Sequence, residues 1–484
     1  MLFTTLDFFI FFVSVVGVII VIKNRKFQHG FLLIASFFFF YYSSNYLITL
    51  LIFSTLLDFY AGREIWKTKN ILHKKIIFLV SLVGNLGLLG FFKYADFGIS
   101  QINVIGSSLG FDPIPLLNLI LPVGISFYTF QTISYTTDIY RGKIEPSKTL
   151  REFALFVAFF PQLVAGPIVR AKDFLPQLRE KMGNKLSLIS IHDRNLKIGI
   201  TIMAFGFLKK MFFADNIAPM VNNIFANPMG LDSFTIILGI IGFGIQIYGD
   251  FSGYSDIAIG AALILGFKLP INFNKPYFAT SPSDFWRKWH ISLSTWLRDY
   301  LYIPLGGNKK SRTQTFVNLL LVMVLGGLWH GASINFIIWG VLHGGYLAIH
   351  RAITNKFNYL KIHLFFKIRV GKIISILITQ YLVFLAWIPF RVQNVDHMFY
   401  SMQKYILLDF QFSGVIGTIL EYKIPVILIV LFVILNYISF QRPNLIEKIA
   451  NLKIYFWGIV LLFIMLSVLF LLDENQQQFI YFRF

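Results

Sequence analysis

A single histidine, His330, sits where two apolar runs meet, in Leu325-Gly326-Gly327-Leu328-Trp329-His330-Gly331-Ala332-Ser333. Small residues on both sides let neighbouring backbones approach closely, so the imidazole projects into a tight, dry space beside the Trp329 indole. Histidine takes and returns a proton near neutral pH, and partial burial keeps it neutral and basic, which suits a general base. The competing reading is a histidine that hydrogen-bonds a neighbouring helix for packing alone, and spacing does not separate the two.

A second group lies in Asp284 to Ile303, which reads as one amphipathic helix. Phe285, Trp289, Leu293, Trp296 and Tyr300 form an apolar stripe, while Arg287, Lys288, Arg298 and Asp299 lie off it, as in an element resting at a membrane interface. His290 falls beside the stripe, one turn from Trp286 and Ser294, and can point into the protein; the plainer alternative is a histidine reaching for water from an interfacial helix.

Third, Gln246 to Asp256 is a polar, glycine-rich stretch inside a long apolar run and predicts a break or hinge there. Asp250 and Asp256 are too costly to leave facing lipid, so they need a cavity, a basic partner or the surface; Ser252 lies between them. No His or Cys accompanies them, and a hinge is favoured over a metal site. His343 and His350, at i and i+7 on the following helix, can share a face, and the ordinary reading of such a pair is core or interface packing. The phosphate-cradling P-loop and the G-x-S-x-G nucleophile elbow are both absent, which leaves ATP-driven transport and serine-hydrolase chemistry without support.

Membrane helices must position these groups. Of the 484 residues, 56% are hydrophobic and 14% charged, which excludes a water-soluble domain. About 20 apolar residues cross the hydrocarbon core, and by that measure the chain holds about eleven to thirteen membrane segments, some short or re-entrant. The first is Leu6 to Ile22, which lacks a basic start and is expected to remain as a spanning helix. Others are Ile76 to Phe92, Leu116 to Tyr135, Phe153 to Val164 and Phe234 to Leu265, the last long enough to bend and cross twice. Pro and Gly interrupt the runs at Leu121-Pro122-Val123-Gly124 and Ala165-Gly166-Pro167. Broken helices at membrane depth survive only around protein or a watery cavity, which suggests an interior tunnel. The expected organisation is one membrane-embedded domain over 1–484, with N-terminal helices in 1–110, a motif-bearing core in 111–350 and C-terminal helices in 351–484.

Lys+Arg outnumber Asp+Glu by 43 to 23, for a net charge of +20. In a soluble protein that excess would suggest nucleic acid; here it belongs to cytoplasmic loops facing an anionic leaflet. The basic stretches Lys23 to Lys26, Arg63 to Lys75, Arg170 to Lys197 and Lys268 to Arg312 are placed inside, with the N-terminus outside. The chain has no cysteine, so neither thiolate catalysis nor cysteine metal ligation is available to it.

Five motifs share an order with a known family: Leu121-Pro122-Val123-Gly124-Ile125-Ser126-Phe127-Tyr128, Phe160-Pro161-Gln162-Leu163-Val164-Ala165-Gly166-Pro167, Asp250-Phe251-Ser252-Gly253-Tyr254-Ser255-Asp256, Phe285-Trp286-Arg287-Lys288-Trp289-His290-Ile291-Ser292-Leu293-Ser294 and Gly327-Leu328-Trp329-His330-Gly331. With the terminus Phe479 to Phe484, they resemble the membrane-bound O-acyltransferase (MBOAT) family over most of the chain. The match is nearest its bacterial branch, which serves alginate O-acetylation and teichoic-acid D-alanylation. The resemblance implies an all-α polytopic fold, a ring of tilted helices around a central tunnel, in a bacterial cytoplasmic (inner) membrane.

It further implies that His330 is the catalytic histidine and His290 the second polar position of the active site. Trp329, Trp286, Arg287, Lys288, Asp250 and Ser252 are then candidates for substrate or donor binding. The co-substrate would be an acyl thioester, acetyl-CoA or an acyl carrier, engaged from the cytoplasmic side with no bound cofactor. The acyl group, most simply acetyl, would pass towards an exported polysaccharide such as alginate, directly or through a periplasmic acetyltransferase. The alternative class is a transporter or flippase of a lipid-linked or polar substrate, which also needs broken helices and intramembrane polar groups.

Overall fold

A computed structural model of the protein describes residues 1–163, 166–180, 185–359, 368–410, 412–472 and 479–480. Among them the chain is all-α, with no strand and one isolated antiparallel bridge between Arg179 and Leu186. Val164 and Ala165 of the second motif and the last four residues of the terminal motif lie outside the described residues.

Among the described residues, seven helices are long and apolar enough to cross a membrane: Arg25–Lys67, Ile71–Ser108, Ser233–Ile264, Arg312–His330, Ile334–Thr354, Arg369–Arg391 and Lys423–Gln441. Leu6–Val21 and Ile454–Phe470 are shorter apolar helices. The chain divides into two compact units, Met1–Ile200 with Ile257–Pro270, and Thr201–Asp256 with Ile271–Phe484.

In the first unit, Ile71–Ser108 runs for 38 residues, well beyond the expected Ile76 to Phe92. At 1.5 Å per residue it is roughly 57 Å long. The expected segment Leu116 to Tyr135 is helical only from Ile125, because Pro122 and a left-handed Gly124 (φ 75) precede the first turn. A Cβ at Gly124 would stand 2.6 Å from the Leu163 carbonyl oxygen, so this position requires glycine twice over. The expected Phe153 to Val164 span is instead two short buried helices, Leu150–Ala158 and Phe160–Leu163, broken at Phe159. Polar side chains between the Arg25–Lys67 and Ile71–Ser108 helices satisfy one another: Asp58 accepts hydrogen bonds from Ser81 Oγ (2.5 Å) and Asn85 Nδ2 (2.8 Å).

In the second unit, the Gln246 to Asp256 stretch is not a break. Ser233–Ile264 is one continuous helix of 32 residues, and it neither bends back nor hinges at the glycines. The glycines serve close packing: a Cβ at Gly253 would meet the Gly206 carbonyl oxygen at 2.7 Å, and one at Gly249 the Lys209 carbonyl oxygen at 2.9 Å. That approach sets the π-helical turn Leu208–Ala214 against the carboxylates. Lys209 pairs with Asp256, while Lys210 Nζ lies 2.8 Å from Asp250 and 2.7 Å from Asp215. Of the expected environments for these aspartates, the structure provides the basic partner.

The Arg312–His330 and Ile334–Tyr359 helices form an antiparallel hairpin. Ser311 Oγ caps the first by accepting from Gln314 N (3.2 Å). Backbones come into contact at Gly340, where a Cβ would stand 2.6 Å from the Met323 carbonyl oxygen. Extended Gly331 ends the first helix immediately after His330, so the histidine lies at the apex of the hairpin.

Candidate active site

His330 is 3% exposed, the last residue of its helix, and enclosed by aromatic rings. Its centroid lies 5.0 Å from Trp329, 5.1 Å from Trp339 and 5.2 Å from Phe390. A dry wall of this kind strengthens any electrostatic interaction made within it.

The Asp284 to Ile303 segment differs from its expected form. It is not one interfacial helix but two short ones, Pro282–Lys288 and Ile291–Leu297, followed by a π-helical turn Arg298–Tyr302. The chain turns at His290, which adopts a left-handed backbone (φ 43). The stripe members Phe285, Trp289, Leu293 and Trp296 are all buried, so the apolar pattern marked protein core and not a membrane surface. His290 itself is fully buried, inward-facing as expected but for a different reason.

The reason is Asn272. Its backbone carbonyl accepts from Ile291 N (2.9 Å), and its side-chain Oδ1 accepts from Ser292 N (3.2 Å) and Ser292 Oγ (2.9 Å). The same Oδ1 lies 3.3 Å from His290 Nδ1. An amide oxygen only accepts, so Nδ1 carries the ring proton and Nε2 is the basic nitrogen. Asn272 Nδ2 in turn donates to Ser255 Oγ (3.2 Å), which ties the turn to the Ser233–Ile264 helix. Burial pushes the His290 imidazole down to about 3, so the ring is neutral at physiological pH.

The turn and the hairpin apex bring the two histidines together. Their ring centroids are 6.4 Å apart, and Trp329 lies 5.9 Å from His290. Phe251 closes another side at 4.7 Å from His290. Two imidazoles so placed can contact one small group from two directions.

The other candidates fall at varying distances from this pair. Trp286 packs on Trp339 (5.7 Å) and His343 (5.0 Å), one ring beyond His330. Arg287 is exposed, and Lys288 is tied to Asp284 at 2.8 Å. Asp250 is occupied by Lys210 and by the Ile480 backbone N–H, which donates to Oδ2 at 2.7 Å. Ser252 is buried on the same helix. Asn272 escaped the sequence reading: it stands 18 residues before His290, in a stretch that reads as loop, and no periodicity links the two.

Residues 146–385 match the membrane-bound O-acyltransferase family. The chain is 38% identical over 376 residues to a peptidoglycan O-acetyltransferase of Helicobacter pylori, covering 72% of this chain and 68% of that one. The chain belongs to the membrane-bound O-acyltransferase family. It is also 45% identical over 320 residues to a probable alginate O-acetylase, AlgI, of Pseudomonas aeruginosa, covering 66% of this chain and 58% of that protein. A teichoic acid D-alanyltransferase of Bacillus subtilis is 31% identical over 240 residues, 47% of this chain and 58% of the relative. The chain thus spans about three fifths of the alginate relatives' length. The MBOAT match contains Asn272, His290, His330 and His343, so the whole histidine-bearing wall lies within the family's own region.

Proposed function

We propose that this MBOAT protein is an O-acetyltransferase of a bacterial inner membrane. It would carry an acetyl group from a cytoplasmic thioester, acetyl-CoA or an acyl carrier, towards a cell-envelope polysaccharide, directly or through a partner acetyltransferase. The observation that carries the reading is the pair of buried imidazoles, His290 and His330, with centroids 6.4 Å apart inside an aromatic wall. The names of the relatives support acetyl as the group and an envelope glycan as its destination.

In the reaction, His330 takes the proton of an acceptor hydroxyl as its oxygen attacks the thioester carbonyl. The tetrahedral oxyanion collapses with loss of the thiolate, and His330 returns the proton to the departing sulfur. A hydroxyl and a thioester become an ester and a thiol. A positioned general base contributes about 10²- to 10⁴-fold. His290 acts differently. With Nδ1–H directed at Asn272, its Nε2 is a hydrogen-bond acceptor, so it orients the acceptor by accepting from a neighbouring hydroxyl, not the one that His330 deprotonates, and does not polarise the carbonyl as a cation. Basic segments at the cytoplasmic face, including Arg287, favour the anionic donor from that side.

The test is transfer by the purified full chain in proteoliposomes supplied with labelled acetyl-CoA and a polysaccharide acceptor. The reading expects label to leave the thioester and appear as ester. Label or sugar that crosses the bilayer with the thioester intact would instead mark a transporter.

A further inference from the structure

The end of the hairpin remote from His330 carries a feature that the acyl-transfer reading does not use. A cavity of about 200 Å³ opens there between the first turn of the Arg312–His330 helix, the last turns of the Ile334–Thr354 span and the loop before Arg312. Lys310, Arg312 and Arg351 line it together with Asn308, and Phe316 and Ala352 form its apolar side. Among the described residues none of the three cations is paired with a carboxylate; Asp299, in the preceding π-helical turn, is held by Arg298 at 2.7 Å. The loop is tied down. Asn318, 1% exposed, donates from Nδ2 to the carbonyl oxygens of Leu305 (3.3 Å) and Gly307 (3.2 Å). Gly306 and Gly307 take the left-handed backbone (φ 103 and 54) that brings the chain round to Lys310.

We propose that this cavity binds the phosphate of an anionic phospholipid, whose acyl chains lie along the outer side of the hairpin. Position selects the ligand. Arg312 opens one membrane-spanning helix and Arg351 stands three residues before Thr354, the end of another, so the cations lie at the level of a bilayer's phosphates. From the cavity towards the hairpin apex the same two helices present Val317, Leu320, Leu321 and Ile349, all exposed. A soluble anion has use for the cations alone, whereas a phospholipid engages the cations with its phosphate and the apolar side chains with its tails. The stretch that supplies Lys310 and Arg312 is the one expected at the cytoplasmic face, where the leaflet carries anionic lipid. One headgroup then joins the loop, the start of one helix and the end of the other, and so clips the open end of the hairpin whose apex holds His330. The site is independent of the acyl-transfer reading.

The experiment uses the purified full chain in detergent, with phosphatidylglycerol or phosphatidylcholine of the same acyl chains added in increasing amounts. Native mass spectrometry counts the bound lipid, and the melting temperature is read in parallel. A cation at an anionic headgroup is worth about fivefold in affinity. The wild type is therefore expected to bind one phosphatidylglycerol about tenfold or more tighter than phosphatidylcholine, and to melt higher with it. Arg312→Gln with Arg351→Gln should weaken phosphatidylglycerol about twentyfold, remove the thermal gain and leave phosphatidylcholine unaffected. Lys310→Gln, in the exposed loop, carries the test with a loss of about fivefold if the double variant does not reach the membrane. Inorganic phosphate and coenzyme A, added at constant ionic strength, should leave the lipid bound. Displacement by either would assign the cavity to a soluble phosphate and overturn the lipid site. Equal affinity of the wild type for the two lipids, or unchanged phosphatidylglycerol binding in the variants, would overturn it as well.

Discussion

Asn272→Leu removes the side chain that holds His290 in place while keeping similar volume. The wild-type amide accepts from His290 Nδ1, Ser292 N and Ser292 Oγ and donates to Ser255 Oγ, four side-chain hydrogen bonds in all. At about 1 kcal/mol net each, their loss amounts to about 4 kcal/mol. The His290 backbone adds a second consequence. Its left-handed φ of 43 costs a non-glycine residue about 1–3 kcal/mol and persists only while the surroundings enforce it. Without the clamp the turn relaxes and the imidazole leaves its place opposite His330. A displacement of about 1 Å at a reacting centre can cost about 10²-fold in rate. The assay is acetyl transfer by membranes matched for protein amount, alongside the melting temperature of the purified protein. The variant should reach the membrane, melt several degrees lower and transfer acetyl about 10²-fold more slowly. A variant with wild-type melting and rate would refute the argument that Asn272 positions His290.

Reporter fusions at Asn70 and Asn308 should both report the cytoplasmic side, and either one outside would break the assumed topology. Lys210→Met leaves Asp250 and Asp215 without the ammonium they share, which should cost about 3 kcal/mol or more and show as lost membrane protein; a normal yield and melting temperature would contradict it. His290 is held neutral down to about 3, whereas the unfolded chain protonates it near its ordinary 6.5. The unfolded state therefore binds more protons below about 6.5, and the stability this group contributes is full above that pH and falls as the pH drops. At pH about 5 that loss is about 2 kcal/mol, so His290→Asn should flatten the fall in melting temperature between about pH 7 and 5.

The sequence carried a good deal of this site, for physical reasons that differ by residue. His330 was legible because an imidazole at the end of an apolar run is expensive and stands out. The Phe285, Trp289, Leu293 and Trp296 pattern marks positions that leave water, but a helical stripe reads the same against lipid and against protein, and the expected interfacial placement gives way to burial in the protein. The turn at His290 was hidden because no Gly or Pro announces it; it is imposed by Asn272, through contacts that only the folded chain makes. Gln246 to Asp256 was misread for a related reason. Glycines and aspartates look like a break locally, yet Gly253 makes room for a neighbouring backbone and Asp250 is balanced by Lys210, forty residues earlier. His343 reads as a packing residue, and the structure buries it against Trp339, Trp286 and Phe285.

The central claim is that His330 is the base that activates the acceptor hydroxyl. The most direct measurement replaces it with alanine and determines, in the same cells, the amount of the protein in the membrane and the acetyl content of the envelope polysaccharide. The account predicts a normal protein level with acetylation reduced about 10²-fold or more. Near-normal acetyl content with His330→Ala in place would contradict it.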